Sequence, residues 1–323
     1  MTAFSHNPVL LQETMDLLGL SAGMRVVDCT SGGGGHGWAI LERIGPTGIL
    51  VSIDQDPEAI EATGEYFQRQ AQALPEGGAL LRANILVHGN FSRIKTILHE
   101  LGITDVQGAL MDLGVSSHQL DDAARGFSYQ HSGLLDMRMD PGAGGQSAYD
   151  VVNSYSAQAL EQILWHNGDE RWSRRIAQYI VEEREKTPIE TTDQLVSVIK
   201  KAVPKGAREE GPHPAKRSFS AIRIHVNREL AILEQAIEDT VEMLAPRGRL
   251  AVIAFHGGED RLVKETFRKL ASGCRCPKDF PVCVCGLVSQ GKALSTKPTY
   301  AKTDETDSNP RARSARLRGF QKS

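Results

Sequence analysis

Three features of the sequence predict a doubly wound α/β sheet interrupted by a helical insertion. Short β-branched runs alternate with helix-length segments up to Asp112, which is the pattern of parallel strands joined by crossover helices. That alternation stops between Leu113 and about Gly211 and resumes beyond Ser218. A glycine cluster, Gly32 to Gly35, separates the first strand from its helix. A right-handed crossover brings such a loop and both strand ends to one edge of the sheet.

Taken in order, Val9 to Leu20 carries an apolar stripe of Leu10, Leu11, Met15, Leu17 and Leu18 and predicts a capping helix. Arg25 to Cys29 is the first strand and Gly37 to Ile44 its helix, stopped by Gly45, Pro46 and Gly48. Ile49 to Ile53 is the second strand, ending at Asp54. Pro57 opens a helix to about Gln72. Ile85 to His88 is the third strand, followed by a helix to Leu101, and Val106 to Met111 is the fourth, closed by Asp112. The insertion contains helical patterns at 157–166, 170–186 and 192–202 and a Gly/Pro/charge-rich linker at 205–214. A single long helix is expected from Ser218 to Leu244, because Ile222, Val226, Leu230, Leu233, Ile237 and Val241 recur every three or four residues. Pro246-Arg247-Gly248 should stop it before a fifth strand, Arg249 to Phe255, and a helix from Glu259 to Leu270. Ala312 to Phe320 is a candidate closing strand.

The literal pattern Gly32-x-Gly34-x-x-Gly37 fits a dinucleotide-type loop, and Asp54 lies 19 residues beyond Gly35, where a carboxylate can accept from ribose hydroxyls. Bare glycines let a backbone approach a ligand that a Cβ would exclude. Asp28 closes the first strand, where a pyrophosphate would meet an unwelcome anion. A carboxylate there suits a cationic ligand, and S-adenosylmethionine carries an ammonium and a sulfonium. The loop therefore points to a methyltransferase ahead of an NAD-dependent oxidoreductase, for which no hydride-transfer site is recognisable. A non-catalytic RNA-binding protein would not need Asp28, Asp54 and Phe91 around the glycines.

The 323 residues are 40% hydrophobic and 24% charged, an ordinary globular balance. No apolar run approaches a membrane span, and the first twenty residues lack a basic n-region and a small-residue cleavage site. A cytoplasmic protein is expected, in which the five cysteines do not form structural disulfides. The net charge of −3 hides an asymmetry: from Lys264 onward 13 Lys/Arg face 5 Asp/Glu, giving +8, so the first 263 residues carry −11. A basic end on an acidic body suits a polyanion.

The ordered motifs resemble one family closely. They are HNPVLLQE (6–13), DCTSGGGGHG (28–37), SIDQDPEAI (52–60), HGNF (88–91) and MDLGVSSHQLDDAARGFSY (111–129). Further on stand LDMRMDP (135–141), HPAKRSFSAIRIHVNREL (213–230), AFHGGEDR (254–261) and NPRARSARLR (309–318). Together they are similar to the bacterial 16S ribosomal RNA (cytosine-N4) methyltransferases, the RsmH or MraW family. The resemblance implies a Rossmann-like class I methyltransferase sheet at 1–118 and 215–323, with an inserted helical domain for RNA at 119–214. It implies S-adenosylmethionine contacts at Gly34, Gly35, His36, Asp54, Phe91, Asp112 and Gln119. Alone, His36 reads as a loop or capping residue and Phe91 as core; the motifs give both a cofactor role. Two departures stand out. Gly257-Gly258 replace a usual Ser-Leu after Phe255-His256, and Cys29 and Ser31 stand where Gly and Phe are common.

Methylation at N4 needs an acceptor for the amine proton, because the nitrogen lone pair is delocalised into the ring. The Asn/Asp-Pro-Pro-aromatic motif of many amino-methyltransferases is absent; Asp112-Leu113-Gly114-Val115 stands there. Asp112 is the first candidate acceptor, with Asp136, Asp140 and His256 behind it. The implied substrate is 16S rRNA in the small ribosomal subunit or its assembly intermediate, contacted by Arg171, Arg174, Arg175, Lys216, Arg217, Arg223, Arg311, Arg313, Arg316 and Arg318. Trp165, Trp172, Phe127 and Tyr129 can stack on bases, although helix-core packing is the expectation for both tryptophans. Cys274, Cys276, Cys283 and Cys285 can supply tetrahedral structural zinc or stand as surface thiols, since C-x-C pairs are less usual ligands than C-x₂₋₄-C. The oligomeric state is left open, a homodimer included.

Overall fold

The computed structural model describes residues 8–209, 213–273, 276, 280–282, 284–286 and 288–323. The chain divides into two compact units, Met1–Gly114 with Ile232–Ser323, and Val115–Ala231.

Among the described residues the first unit has seven strands: β1 (Arg25–Asp28), β2 (Ile49–Asp54), β3 (Asn84–His88), β4 (Val106–Asp112), β5 (Leu244–Ala254), β6 (Gly291–Ala293) and β7 (Arg316–Lys322). Their order is β3-β2-β1-β4-β5-β7-β6. The first five in that order are parallel, and β7 is antiparallel to both β5 and β6. Strand order reverses between β1 and β4, and a doubly wound sheet opens its ligand crevice at the carboxyl ends beside such a switch. Side chains alternate across the sheet. Val27, Val51, Ala109, Met111 and Val252 pack on one face with Leu98, Leu233 and Phe267. Val26, Leu50, Leu110, Ala251 and Ile253 pack on the other with Trp38, Leu41 and Phe67. Burial on both faces explains why these strands read as continuous apolar runs.

Several boundaries differ from the expectation, each for a local reason. The first helix shortens to Leu11–Leu18 because Leu10 and Gly19, at φ 53 and 60, are left-handed at its ends. The second begins two residues early, at Gly35. A helix at Gly77–Arg82 and the short β6 have no counterpart in the sequence reading. Pro246-Arg247-Gly248 does not precede β5 but lies within it. The register with β4 shifts between Val106 and Gly108, opposite Arg247 in its left-handed conformation at φ 64. The closing strand begins at Arg316, after a 3₁₀ turn at Pro310–Ser314.

The second unit is helical, with Leu160, Leu164, Ile176, Ile180, Leu195, Ile199, Phe219 and Ile222 in its core. Its helices are Ala148–Ser154, Ala157–Gly168, Ser173–Arg184, Thr192–Ala202 and Ala215–Val226, with short turns at Ser117–Asp121 and Lys205–Glu209. The expected single helix at 218–244 is two, Ala215–Val226 and Glu229–Met243. Arg228 breaks it at φ 54, and the Asn227 amide is spent on Met139 N–H and Met137 C=O, both at 2.8 Å. The first of the two packs on Ala157–Gly168, so the helical unit runs to Ala231 and not to 214. Among the described residues no helix is long and apolar enough to cross a membrane.

Candidate cofactor site and catalytic centre

The loop after β1 is tied to both neighbouring strands. Cys29 N–H donates to Leu110 C=O and Ser31 N–H to Ile53 C=O, each at 2.9 Å, while Asp112 N–H donates to Thr30 Oγ1 at 2.7 Å. Gly34, at φ 81, leads into the helix Gly35–Ile44; a Cβ on it would lie 2.9 Å from the Phe67 ring. A Cβ on Gly35 would run into the Pro8 ring. Packing from behind keeps this turn bare, while its Gly34 and Gly32 amides are bonded to Ser31 C=O and Asp54 Oδ2.

Three ionisable groups meet beside it. His36 Nε2 lies 3.1 Å from Val9 C=O, and a carbonyl only accepts, so Nε2 carries a proton. Nδ1 stands 3.4 Å from Asp112 Oδ2, so a second proton there makes both contacts favourable. Burial pulls the His36 pKa down, but the Asp112 bond and the charges of Asp112 and Asp28 outweigh it and raise it above the ordinary value. Asp28 is fully buried, and burial pushes its carboxyl up to about 7 against the opposing pull of His36. One oxygen of each carboxylate, Asp28 Oδ2 and Asp112 Oδ1, is buried with no hydrogen-bond donor. Unpaired buried acceptors are costly, so these oxygens fit a ligand that brings a cationic N–H group.

Asp54 closes the other side. Its Oδ2 accepts from Gly32 N–H at 2.8 Å and its Oδ1 from Asp56 N–H at 2.9 Å, while burial pushes the carboxyl up to about 6. This loop-anchoring work was not visible in the sequence. A further backbone bond from Gln55 leaves the carboxylate about one lone pair for a ribose hydroxyl. Gln55 ties down the end of β3, accepting from Asn90 Nδ2 at 2.6 Å and, through its carbonyl, lying 3.0 Å from His88 Nε2. Phe91 follows at once, half-buried against the core beside Asp54's strand.

The other sequence candidates fall elsewhere. Gln119 lies in the helical unit, 3% exposed, and completes a capping box in which its Oε1 accepts from Ser116 N–H at 3.0 Å. Asp136 sits in the fork of Arg138, at 2.9 Å from Nε and 2.7 Å from Nη2. Burial pushes its carboxyl up, but Arg138 outweighs that and holds it below the usual range. Asp140 caps the turn at Pro141–Ala143, and His256 Nδ1 accepts from Gly258 and Glu259 N–H at 3.2 and 3.3 Å. Asp136, Asp140 and His256 each do structural work in the free protein, and His256 Nε2 is buried without a hydrogen-bond partner. A Cβ on Gly257 would meet nothing nearer than Arg316 Nη1 at 4.0 Å, so the fold does not require glycine there.

Two RNA candidates are likewise spent. Arg223 forks Glu229 at 2.9 and 2.8 Å, and Arg318, 7% exposed, holds Asp260 at 2.6 and 3.2 Å. Phe127 is core, and Tyr129 stacks on His213 with ring centroids 4.7 Å apart. Arg171, Arg174, Arg175, Lys216, Arg217 and Arg313 are exposed. Of the thiols considered for zinc, Cys276 and Cys285 are partly exposed, and Cys274 and Cys283 lie outside the described residues. Nothing among the described residues supports a metal there.

A family model described as the MraW methylase family matches residues 3–323. A ribosomal RNA small subunit methyltransferase H of Ruminiclostridium cellulolyticum is 48% identical over 99% of this chain and 99% of its own. One of Geotalea uraniireducens is 49% identical over the full length of both. Among solved structures, an rRNA methylase from Streptococcus thermophilus is 10% identical with a TM-score of 0.42, covering 98% of this chain and 99% of that one. A SAM-dependent O-methyltransferase from Thermotoga maritima is 10% identical with a TM-score of 0.41, covering 100% and 69%.

Proposed function

Because the chain belongs to the MraW methylase family, we propose that it methylates the exocyclic N4 of a cytosine in 16S ribosomal RNA by direct transfer. S-adenosylmethionine supplies the electrophilic methyl group when bound. The observation that carries this reading is the pair of buried, donorless oxygens, Asp28 Oδ2 and Asp112 Oδ1, beside a bare glycine turn. Asp28 Oδ2 accepts from the ligand's ammonium, Gly34 and Gly35 admit its methionine end, Asp54 takes a ribose hydroxyl and Phe91 stacks on adenine.

Asp112 has a second task. His36 occupies its Oδ2, which leaves Oδ1 as the acceptor that orients the cytosine amine. A hydrogen bond from that amine lets nitrogen pyramidalise as it attacks, and alignment with methyl and sulfur supplies much of the rest. C5 transfer would need a thiolate attacking the ring. Cys29 is 1% exposed within the core and burial raises its thiol well above the ordinary value, so it is not that nucleophile.

The target cytosine must leave its stack to reach a donor in the sheet crevice. The substrate is the small subunit or an assembly intermediate in the cytoplasm, bound through exposed arginines whose grip weakens as salt rises. Incubation of the protein with isotopically labelled S-adenosylmethionine and 30S-type particles, then mass spectrometry of digested RNA, tests this. Methyl on N4 is expected; methyl on C5, or a trapped adduct with 5-fluorocytosine-containing RNA, overturns it.

A further inference from the structure

Tryptophan is usually well buried. Trp38 is 5% exposed and Trp172 packs against the helical core, but Trp165 is 53% exposed. It lies on the helix Ala157–Gly168, whose other large apolar side chains, Leu160, Ile163 and Leu164, are buried. A single exposed ring on an otherwise inward-facing helix is not an apolar patch of the kind that docks another protein.

Cations stand close to this residue in the chain, together with the acids Glu161 and Asp169 one turn to either side. One turn beyond it, Asp169 N–H donates to Trp165 C=O at 3.1 Å, and Asp169 C=O accepts from Arg217 Nη1 at 3.0 Å. The two helices approach closely at Gly168, where a Cβ would lie 2.7 Å from the Arg217 carbonyl oxygen. The Arg217 fork is thereby fixed beside the turn that carries Trp165. Arg171 lies in the connection after this helix and Arg174 in the first turn of the next, Ser173–Arg184; Lys216 precedes Arg217, and all four cations are exposed. Among the described residues none of the four has a carboxylate partner, whereas Arg223, on the helix that carries Arg217, is sealed by Glu229.

We propose that Trp165 is a base-stacking platform for an unpaired nucleotide of the RNA substrate, with Arg171, Arg174, Lys216 and Arg217 holding the flanking phosphates. The inference rests on the RNA-methyltransferase reading and adds a contact on the helical unit by itself. An indole offers a flat face to any base, and guanidinium forks bind phosphate bidentately.

The test uses the full chain with 30S-type particles and with a single-stranded RNA. RNA should quench the tryptophan emission, and the quench should vanish in Trp165→Phe, because the buried Trp38 and packed Trp172 do not report it. Trp165→Ala should weaken RNA binding and raise the KM for particles roughly ten-fold with kcat unchanged, and Trp165→Phe should recover most of that loss. Arg217→Gln should lower the slope of log affinity against log salt by about one. Wild-type KM and RNA affinity in Trp165→Ala, with methylation intact, overturn the platform and leave the methyltransferase reading standing. A wild-type protein that neither binds RNA nor methylates particles overturns both.

Discussion

Two sets of carboxylates, one drawn from each unit, are held in opposite ways. In the helical unit Asp136 lies in the fork of Arg138, Glu229 in that of Arg223, and Asp150 accepts from Ser147 twice. At the edge of the sheet Asp28 and Asp112 are packed around one histidine and each keeps a buried oxygen with no donor. Folding alone favours the first arrangement, since an unpaired buried acceptor costs more than a bonded one gains. The second persists where a ligand completes it. On the proposed function the difference separates acids that hold the fold from acids that serve chemistry, although both kinds sit in equally prominent sequence motifs.

The sharpest way to break this contrast is to exchange the outcomes of Asp112→Ala and Asp136→Asn. Asp112→Ala should lower kcat about 10- to 100-fold with the fold retained, as loss of a charge-assisted hydrogen bond implies. Asp136→Asn should cost about 1 kcal/mol of stability, since its pair is partly exposed, and leave kcat within about two-fold. Denaturation and steady-state methylation of both variants decide the matter, and a selective kcat defect in Asp136→Asn sinks the distinction.

Asp54→Ala should weaken S-adenosylmethionine binding by about 1.5–3 kcal/mol, measured by calorimetry on the folded variant. An unchanged Kd would remove Asp54 from the site. A smaller effect follows from Asp28. Its carboxyl is raised to about 7 in the free protein, and a bound ammonium favours the ionised form. Binding should therefore release protons near pH 6–7 and tighten as pH rises through that range, which calorimetry in buffers of different ionisation enthalpy reads directly. The sign for stability is opposite. Between its unfolded value of 3.8 and about 7 the native state holds the extra proton, so this group's contribution falls as pH rises. Asp28→Asn should flatten both dependences. The smallest effect is expected of Cys29→Ser, with activity within about two-fold of wild type and a modest stability loss from the core position. Abolished activity in a folded Cys29→Ser variant would restore a covalent route.

The sheet was legible because its central strands are buried on both faces and end in acids or turn residues, as at Asp28, Asp54 and Asp112. The glycine turn and Asp54 were legible from spacing. The His36–Asp112 contact was not, because sequence separation says nothing about a pair made by the approach of β1 and β4. Periodicity also ran unbroken through Asn227 and Arg228, since Val226 and Leu230 keep helical spacing while the backbone between them does not. The three-residue β6, Gly-Lys-Ala, has no apolar pattern to read. Helix-core packing holds for Trp172 but was the wrong expectation for Trp165, whose exposure depends on which face of its helix the unit leaves open.

β4 and β5 are hydrogen-bonded neighbours, yet the whole helical unit lies between them in the chain. On a growing polypeptide the helical unit, being contiguous, has all its residues while the sheet is still half made. Until β5 emerges, β4 offers a bare edge carrying Ala109, Leu110 and Met111, the sort of strand that pairs with a stranger. The wait is longer for β5, whose own outer edge is covered only when β7 arrives at residues 316–322. A chain stalled or clipped before that point carries every residue assigned to the methyl donor and still exposes a sticky edge. Arrival of β7, and not possession of the site, is therefore the step that covers this edge.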